Sequence, residues 1–576
     1  MVDKVLETLV GEVDESEHTQ YWAARDADEI TARLKQVSDI WQENFEQTDI
    51  GKKVVRSADY YASAFNFEAD TTSRAIKVSG DSGEIVEYTA QLYSYYVQQL
   101  LTLLTSEMPE FGAVAANIDG SSRQRARAGD KALEYYFRRA KVYDVLVDAA
   151  RDALVYGTGF VHRYWDSSLG KKLKMGEEGQ EEEGVEEYYE GDVRVERIDY
   201  RDIIWEPARK NEMHELTWIA YRHRHNKYDL AVSYPDLRDE ILSTCSDDES
   251  ISSQDPSKDD YITLVTFYHF GSDALPDGRL LTYVENDDSI ILEDLDYPFE
   301  TRAIDIIRAR KVRGTLCGWS PLFDVQPQIE AINFELSKIL TAHDALAAPI
   351  VSTGLTSRFK SIDRVIGAPS VLETDEPPKI TFFGEIPEDV FRTIDQARQL
   401  ADTILGLNSA VLGEAKGSVR ANNMQLYMSE QAIRYQSQMQ AQFYALFEST
   451  GMAILSLLRS FATNQRVVSI LGPGNALSYY AFEGSDLLAV RGVVVKPIST
   501  MLRTTEGRLS AIKSMADAGV SLIKEEVVSI IKGAPLEVIT GPQEAQLEVA
   551  MAENDFILSG GVHRALLIDN HILHIR

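Results

Sequence analysis

The sequence predicts an α+β chain that is mostly helical, and three observations carry that expectation. Apolar residues recur at three- and four-residue spacing over several long runs, the period of an amphipathic helix. Between residues 160 and 293 the pattern changes to short β-branched and aromatic stretches separated by turn residues, the composition of strands. A compact β-rich insert at 349–383 then lies between two helix patterns. With 576 residues the chain exceeds one ordinary core, so about two to four domains are expected.

Residues 1–60 read as helical and polar, with Asp28 ahead of an amphipathic run through Ile30, Leu34, Val37, Ile40 and Trp41. A second helix fits 86–107 on Tyr88, Leu92, Tyr95, Tyr96, Leu100 and Leu103, and Pro109 closes it. Asp119 to Ser122, with Gly120 inside, reads as a loop. A third helix spans about 123–156 through Leu133, Tyr136, Phe137, Val145, Leu146, Ala149 and Leu154. Phe160–Trp165 and Val193–Ile198 have strand composition, and the acidic, glycine-bearing stretch Glu177–Glu190 reads as the long solvated tip of their hairpin. A divalent-cation site is the alternative there, although the carboxylates lack the fixed spacing of a calcium loop. Further strands fit 216–224, 261–270, 279–285 and 289–293, with a helix near 227–243 and a polar loop from Ser246 to Asp260.

From residue 320 the chain turns helical again. Ser320-Pro321 is a favourable cap and first-position pair, and Val325, Ile329, Ile332, Leu336, Ile339 and Leu340 form one stripe to about Ala347. Pro327 is placed to divide off the first turn, and Pro349 blocks continuation. In the insert, Ile350-Val351, Val365-Ile366, Val371-Leu372 and Ile380–Phe383 read as strands, with Gly354, Gly367 and Pro369 between them. A second helix starts at Pro387, has Glu388 and Asp389 in its first turn, and runs to Leu405 with Gly406 at its end. Residues 407–421 form a small-residue loop. A helix over 422–462 follows, roughly 60 Å long, with Gly451 as its one plausible kink. Strands at 466–471 and 490–498 precede a mostly helical C-terminal region.

Apolar content of 44% and charged content of 26% match a globular chain rather than a disordered one. No uninterrupted apolar run of about 18 residues occurs, so no membrane span is expected. The opening MVDKVLETLVGEVDESE has no basic segment followed by an apolar run, and no signal peptide is read from it. Cys245 and Cys317 lie far apart, neither in a CxxC pair, as expected of free thiols in a reducing compartment. The net charge of −33 argues against a protein that grips nucleic acid, because gripping needs cations on phosphates. It leaves open a surface past which DNA slides.

Catalytic motifs are missing from the sequence: it has no GxxxxGK[ST], GxSxG or HExxH, and no GxGxxG after a strand. Gly157-Thr-Gly159 sits at a helix-to-strand junction, the context of a turn rather than a phosphate loop. His223-Arg-His225 has no identifiable third ligand nearby, and His563, Asp569, His571 and His574 form a second weak metal candidate. Tyr93–Tyr96 could stack on bases, but its helical spacing and lack of adjacent Lys or Arg favour a core role. Neither catalytic residue, metal nor cofactor is expected.

Four segments resemble the portal proteins of tailed bacteriophages. They are Asp152–Asp166 around Gly-Thr-Gly, Val195–Pro207 ending in an acidic-Pro turn, Gly318–Asn333, and the helix–loop–long-helix of 387–462 with Leu412-Gly413 and Asn422–Gln425. Asp569-Asn-His-Ile-Leu-His574 is similar to a motif near the end of some portals. The resemblance implies a closed ring, typically of about twelve subunits, at one capsid vertex of the virion, assembled in the host cytoplasm. It assigns 1–319 to a wing, 320–347 and 387–406 to stem helices, 348–386 to a clip and 407–421 to a tunnel loop. Residues 422–500 become the long helix and wing return strands, and 501–576 a crown-like region. It also implies partners: terminase large subunit, head-completion or adaptor proteins, major capsid and scaffolding proteins, and double-stranded DNA passing without sequence-specific contact, with no membrane.

On that reading Ser409, Glu414, Lys416, Ser418 and Arg420 face DNA, with Lys416 and Arg420 meeting phosphate transiently unless the loop is simply solvated. Arg358, Lys360, Arg364 and Lys379 of the clip contact DNA or an acidic motor surface, or else balance neighbouring subunits. Another head–tail connector or tail-tube component is the nearest alternative, and an enzyme with an unrecognised site is a third class.

Overall fold

The computed structural model describes residues 21–62, 76–77, 87–105, 110–115, 120–175, 186–206, 209–244, 260–285, 287–347, 350–353, 371–373, 379–381, 387–407, 437–462, 466–471, 477–482, 484–496 and 512–513. It is an α+β structure, as the sequence predicts.

Helices α1 (Ala27–Gln47) and α2 (Asp49–Ala62) open it. Asp28 lies in the first turn of α1, and Asp26 occupies the cap position. Strands β1 (Ile76–Lys77) and β2 (Glu87–Tyr88) pair antiparallel. The helix expected over 86–107 therefore begins later, as α3 (Leu92–Thr105), and Tyr88 belongs to a strand. Strand β3 (Glu110–Ala115) was not anticipated. Gly120–Ser122, expected in a loop, forms the start of α4 (Gly120–Arg139).

The expected 123–156 helix is two helices, α4 and α5 (Val142–Tyr156). The break falls at Lys141, which adopts a left-handed backbone (φ 48°) without being Gly or Asn. Nothing in the local sequence marks it. Val142, Leu146, Ala149 and Ala153 of α5 are fully buried, so packing of α5 against the core imposes the turn.

Strand β4 (Thr158–Asp166) pairs antiparallel with β7 (Asp192–Ile198), the expected hairpin. The hairpin continues into its presumed tip, because β5 (Lys172–Met175) pairs with β6 (Glu186–Tyr189). Residues 176–185 lie outside the described residues. Two further strands escaped the sequence reading, β8 (Ile203–Trp205) and, past the large sheet, β13 (Ile304–Arg308), which pairs with β4. A five-stranded antiparallel sheet has the order β12-β11-β10-β9-β8, with β9 Trp218–Asn226, β10 Tyr261–His269, β11 Arg279–Val284 and β12 Asp287–Leu295.

Both faces of this sheet are covered. Trp218, Ala220, Val265, Phe267 and Leu281 meet Ile30 and Leu34 of α1 on one side. Ile219, Tyr268 and Leu280 meet Phe160 and Ile304 on the other. Apolar residues therefore occupy both phases of the alternation. The helix expected near 227–243 is interrupted at Pro235, giving α6 (Lys227–Ser233) and α7 (Arg238–Ser243).

Helix α8 (Pro321–Ala347) runs through Pro327 without dividing. The insert is a three-stranded sheet of order β15-β14-β16, with β14 Ile350–Thr353, β15 Val371–Glu373 and β16 Lys379–Thr381. Val365-Ile366 lies outside the described residues. Helix α9 (Glu388–Leu405) ends on Gly406 in a left-handed conformation, as expected. Of the long helix expected over 422–462, residues 422–436 lie outside the described residues; helix α10 (Ser437–Phe461) occupies the rest, and it is continuous through Gly451. That glycine is a packing position, since a Cβ there would sit 3.1 Å from Val493 Cγ1. Strands β17 (Arg466–Leu471), β18 (Leu477–Phe482, unanticipated) and β19 (Val490–Lys496) follow, and β19 pairs with β3. The C-terminal region beyond 496 is described only at 512–513.

The largest core gathers α3, α5 and α10 with parts of α4, the first turns of α8 and the last turn of α9. By length and composition α10 could cross a membrane, yet 61% of its most apolar window is buried inside the protein. That burial is the mark of a core helix.

Candidate functional site

The site is the helical hairpin α8–α9 and its root. Leu322, Val325 and Ile329 of α8 and Ala401 and Leu405 of α9 lie in one core cluster, while the β14–β16 insert joins the opposite ends. The two helices, packed along each other, therefore run antiparallel.

The root is built from segments about 160 residues apart in sequence that the structure brings together. Gly157 ends α5 with φ 87°, a conformation that disfavours any Cβ. Its backbone lies directly against Gly318, and a Cβ on either glycine would collide with the carbonyl of the other. Gly318 N donates to Thr158 Oγ1 at 2.7 Å, and Ala309 N donates to Gly157 O at 3.1 Å. Ser320 then caps α8, its Oγ accepting from Leu322 N at 3.0 Å and donating to the Leu154 carbonyl. The Gly-Thr-Gly turn thus seats the entry to α8.

Beyond the root, one polar face of α8 is held by neighbouring elements. Gln326 Nε2 donates to Ser57 Oγ at 2.6 Å, and Glu330 accepts from Tyr60 Oη at 3.2 Å and pairs with Arg56. Asn333 Oδ1 accepts from Ala90 N at 3.0 Å, and Ser337 Oγ accepts from Tyr88 N at 2.9 Å. On α9, Asp402 Oδ1 accepts from Tyr96 Oη at 3.0 Å. The apolar stripe was legible in the sequence, but this ladder was missed. Its signal was there: Gln326, Glu330, Asn333 and Ser337 recur at four, three and four residues, the spacing of one helix face.

Further out, the hairpin has little cover. Ala401 and Leu405 are the buried side chains of α9, and the described face away from α8 is exposed. Phe391 (48% exposed) and Leu400 (50%) are nine residues apart, which at 100° per residue puts them on opposite flanks of α9. Phe334 of α8 is 51% exposed beneath the Lys338 ammonium, 4.1 Å from the ring centroid.

Of the residues singled out from sequence, Lys379 lies at the start of β16, in register with Ser352 of β14. Arg358, Lys360 and Arg364 lie outside the described residues, as do Ser409, Glu414, Lys416, Ser418 and Arg420. The same holds for Cys245 and for the His563, Asp569, His571 and His574 set.

Several other groups singled out from the sequence pack within the described fold. Tyr93 and Tyr96 are buried, as a core role requires. Cys317 is a free thiol pushed up to about 11 by burial, which leaves it un-ionised and a poor nucleophile. His223 and His225 share a face of β9 with ring centroids 5.2 Å apart, and burial pushes His223 down to about 3. Among the described residues no three His, Cys, Asp or Glu side chains are grouped to hold a metal ion. Arg466 donates to Tyr136 Oη at 3.0 Å and to the Gly191 carbonyl at 2.9 Å, and lies over the Trp165 ring. Arg163 reaches Asp305 at 3.3 Å and Ser449 at 3.2 Å. These arginines tie β4, β13, α10 and the hairpin base together.

No protein-family model matches the chain. No curated protein matches it in sequence either.

Proposed function

We propose that this chain is the portal protein of a tailed bacteriophage, a ring-forming conduit for DNA packaging and ejection rather than an enzyme. The observation that carries the reading is the hairpin α8–α9, anchored at one end, capped by a small sheet at the other, and left with apolar side chains on opposite flanks of α9. In the single chain both side chains, Phe391 and Leu400, stay about half exposed. Copies arranged head to tail cover each flank with a different neighbour, and such contacts close into a ring when the rotation suits.

A second support is the Gly157–Gly318 contact, which packs two of the segments that resemble portals against each other. On this reading 320–347 and 387–406 form the stem, 348–386 the clip that docks terminase and adaptor proteins, and 407–421 the loop facing DNA. The acidic balance keeps phosphate contacts few, so that a duplex passes without sticking.

Negative-stain imaging and size-exclusion chromatography of the full chain test it. The expected result is a ring with a central hole near duplex width, and a discrete monomer at high concentration overturns the proposal. Deleting 409–418 is expected to leave rings intact while impairing DNA packaging or retention. Loss of ring assembly would remove the loop assignment.

A further inference from the structure

Apolar packing holds the α8–α9 hairpin only near its root. Among the described residues, Ile329 and Ile332 are the buried apolar side chains of α8 past Pro327. On α9 they are Ala401 and Leu405, at its C-terminal end. From Ile332 to Ala347 α8 runs on for roughly 22 Å. Past Pro327 its ties to α2 and to the β2 segment are polar. Glu330 meets Arg56 and Tyr60, Asn333 Oδ1 accepts from Ala90 N, and Ser337 Oγ accepts from Tyr88 N. The Arg56 and Glu330 side chains are 60% and 34% exposed, so water competes for that pair.

Each limb also has a weak point where it leaves the core. Pro327 denies the Phe323 carbonyl its helical donor, and Gly406 ends α9 in the left-handed region at φ 70°. Core residues flank both, Val325 and Ile329 around the proline and Leu405 and Leu407 around the glycine. Helices bend at prolines, and the ends of elements absorb the backbone rotation of hinge motions. Helix α2 bridges the proline. Lys53 donates to the Phe323 carbonyl before it, while Arg56 and Tyr60 hold Glu330 after it.

We infer that the hairpin is a hinged arm, pivoting at Pro327 and Gly406 and splinted in its present direction by α2 and the β2 segment. Apolar packing at the root secures the pivot. Polar bonds set the angle, and such bonds exchange for bonds to water at small net cost. Opening this ladder frees the arm to swing while α8 and α9 stay packed on each other. The half-exposed Phe334, Phe391 and Leu400 ride on the arm, so its angle decides where they are presented. The device belongs to a single chain and does not depend on the ring reading.

The test places spin labels, carried on p-acetylphenylalanine, at the exposed positions Gln396 of α9 and Asp144 of α5. Labelled full-length protein is diluted with unlabelled chain, so that double electron–electron resonance reads distances within one chain. Wild type is expected to give one narrow distance distribution. Arg56→Gln/Tyr60→Phe/Asn333→Ala/Ser337→Ala removes the ladder past Pro327, and the swung population should grow at least about tenfold. Adding Pro327→Ala restores the helical donor and should narrow the distribution again. Far-UV circular dichroism is the fold control. If the fourfold variant loses helix, Arg56→Gln/Tyr60→Phe alone is read, with a smaller broadening in the same direction. A folded ladder variant as narrow as wild type overturns the inference. Broadening that Pro327→Ala leaves unchanged also overturns it, because the arm then does not pivot at the proline. A broad wild-type distribution does so too, since the ladder would then splint nothing.

Discussion

The Lys53 ammonium of α2 donates to the Phe323 carbonyl of α8 at 3.1 Å, and Phe323 is the residue four positions before Pro327. In an uninterrupted helix that carbonyl accepts the N–H of residue 327, which proline lacks. A side chain from 270 residues away thus replaces the missing donor, and α8 continues where its sequence predicts a division. Lys53 also lies 5.6 Å from the Trp319 ring centroid, at the same root.

Lys53→Met is expected to destabilise the protein by about 1–3 kcal/mol, the cost of leaving a buried acceptor unmade. Pro327→Ala restores an N–H donor to Phe323, so Lys53→Met should cost less in that background. A double-mutant cycle by denaturant titration reads the coupling. Equal costs in both backgrounds would show that the lysine acts through Gln326 or Trp319 instead.

Gly157→Ala and Gly318→Ala should each cost more than about 2 kcal/mol, since each added Cβ meets a carbonyl that has no room to move. The left-handed φ of Gly157 adds strain to the first. Their effects should be sub-additive, because either one already separates the turn from the entry to α8. Thermal unfolding of the two single variants and the double variant measures this, and fully additive losses would contradict a shared contact.

Replacing 176–185 by a short turn should leave stability and assembly unchanged, because β5 and β6 remain paired. Cutting back 171–190 is a different change. The Glu190 carbonyl accepts from Arg466 Nη2 at 3.2 Å, and the Glu190 carboxylate lies 3.5 Å from Arg466 Nε. Removing both should cost about 1–3 kcal/mol. The solvated-tip expectation therefore does not hold for the ends of the stretch, where Glu186–Tyr189 is paired and Glu190 meets Arg466. Equal stability of the two deletion variants by circular dichroism melting would refute this division.

Acid should loosen the large sheet. Burial holds His162 well below the ordinary histidine value of 6.5, helped by Arg163 and His223, while its Nε2 meets Tyr268 Oη at 2.9 Å. Tyr164 stacks on it and Tyr221 lies tilted beside it, and Glu196, its cross-strand partner on β7, is not among the causes of its shift. Burial, with His225 adding, pushes His223 down to about 3. With folded values depressed, the unfolded chain binds more protons below 6.5. Stability then falls as pH drops through that point, by up to about 1.4 kcal/mol per pH unit for each histidine. His223→Gln should flatten the slope between pH 6.5 and 5 in denaturant titrations. A wild-type midpoint constant over that range would end the argument.

Much of the fold was legible because burial on one side of an element leaves a period in the sequence. Helix α8 showed its stripe and its Ser320-Pro321 cap, α9 its acidic first turn and Gly406, and the β4–β7 hairpin its two apolar strands. Strands β3, β8, β13 and β18 did not show, being short or set between stronger signals. At the candidate site, Gly-Thr-Gly was visible as a turn, but its partner Gly318 was not.

What the sequence by itself determined was which segments bury a face, where two helices bracket a β insert, and that the chain is acidic, since all three follow from residue order and composition. The tertiary structure decided the break at Lys141, the passage of α8 through Pro327 and the seating of its root on Gly157. Each depends on an atom supplied from far along the chain, or on a core that pays for a strained turn, and local sequence carries no trace of either.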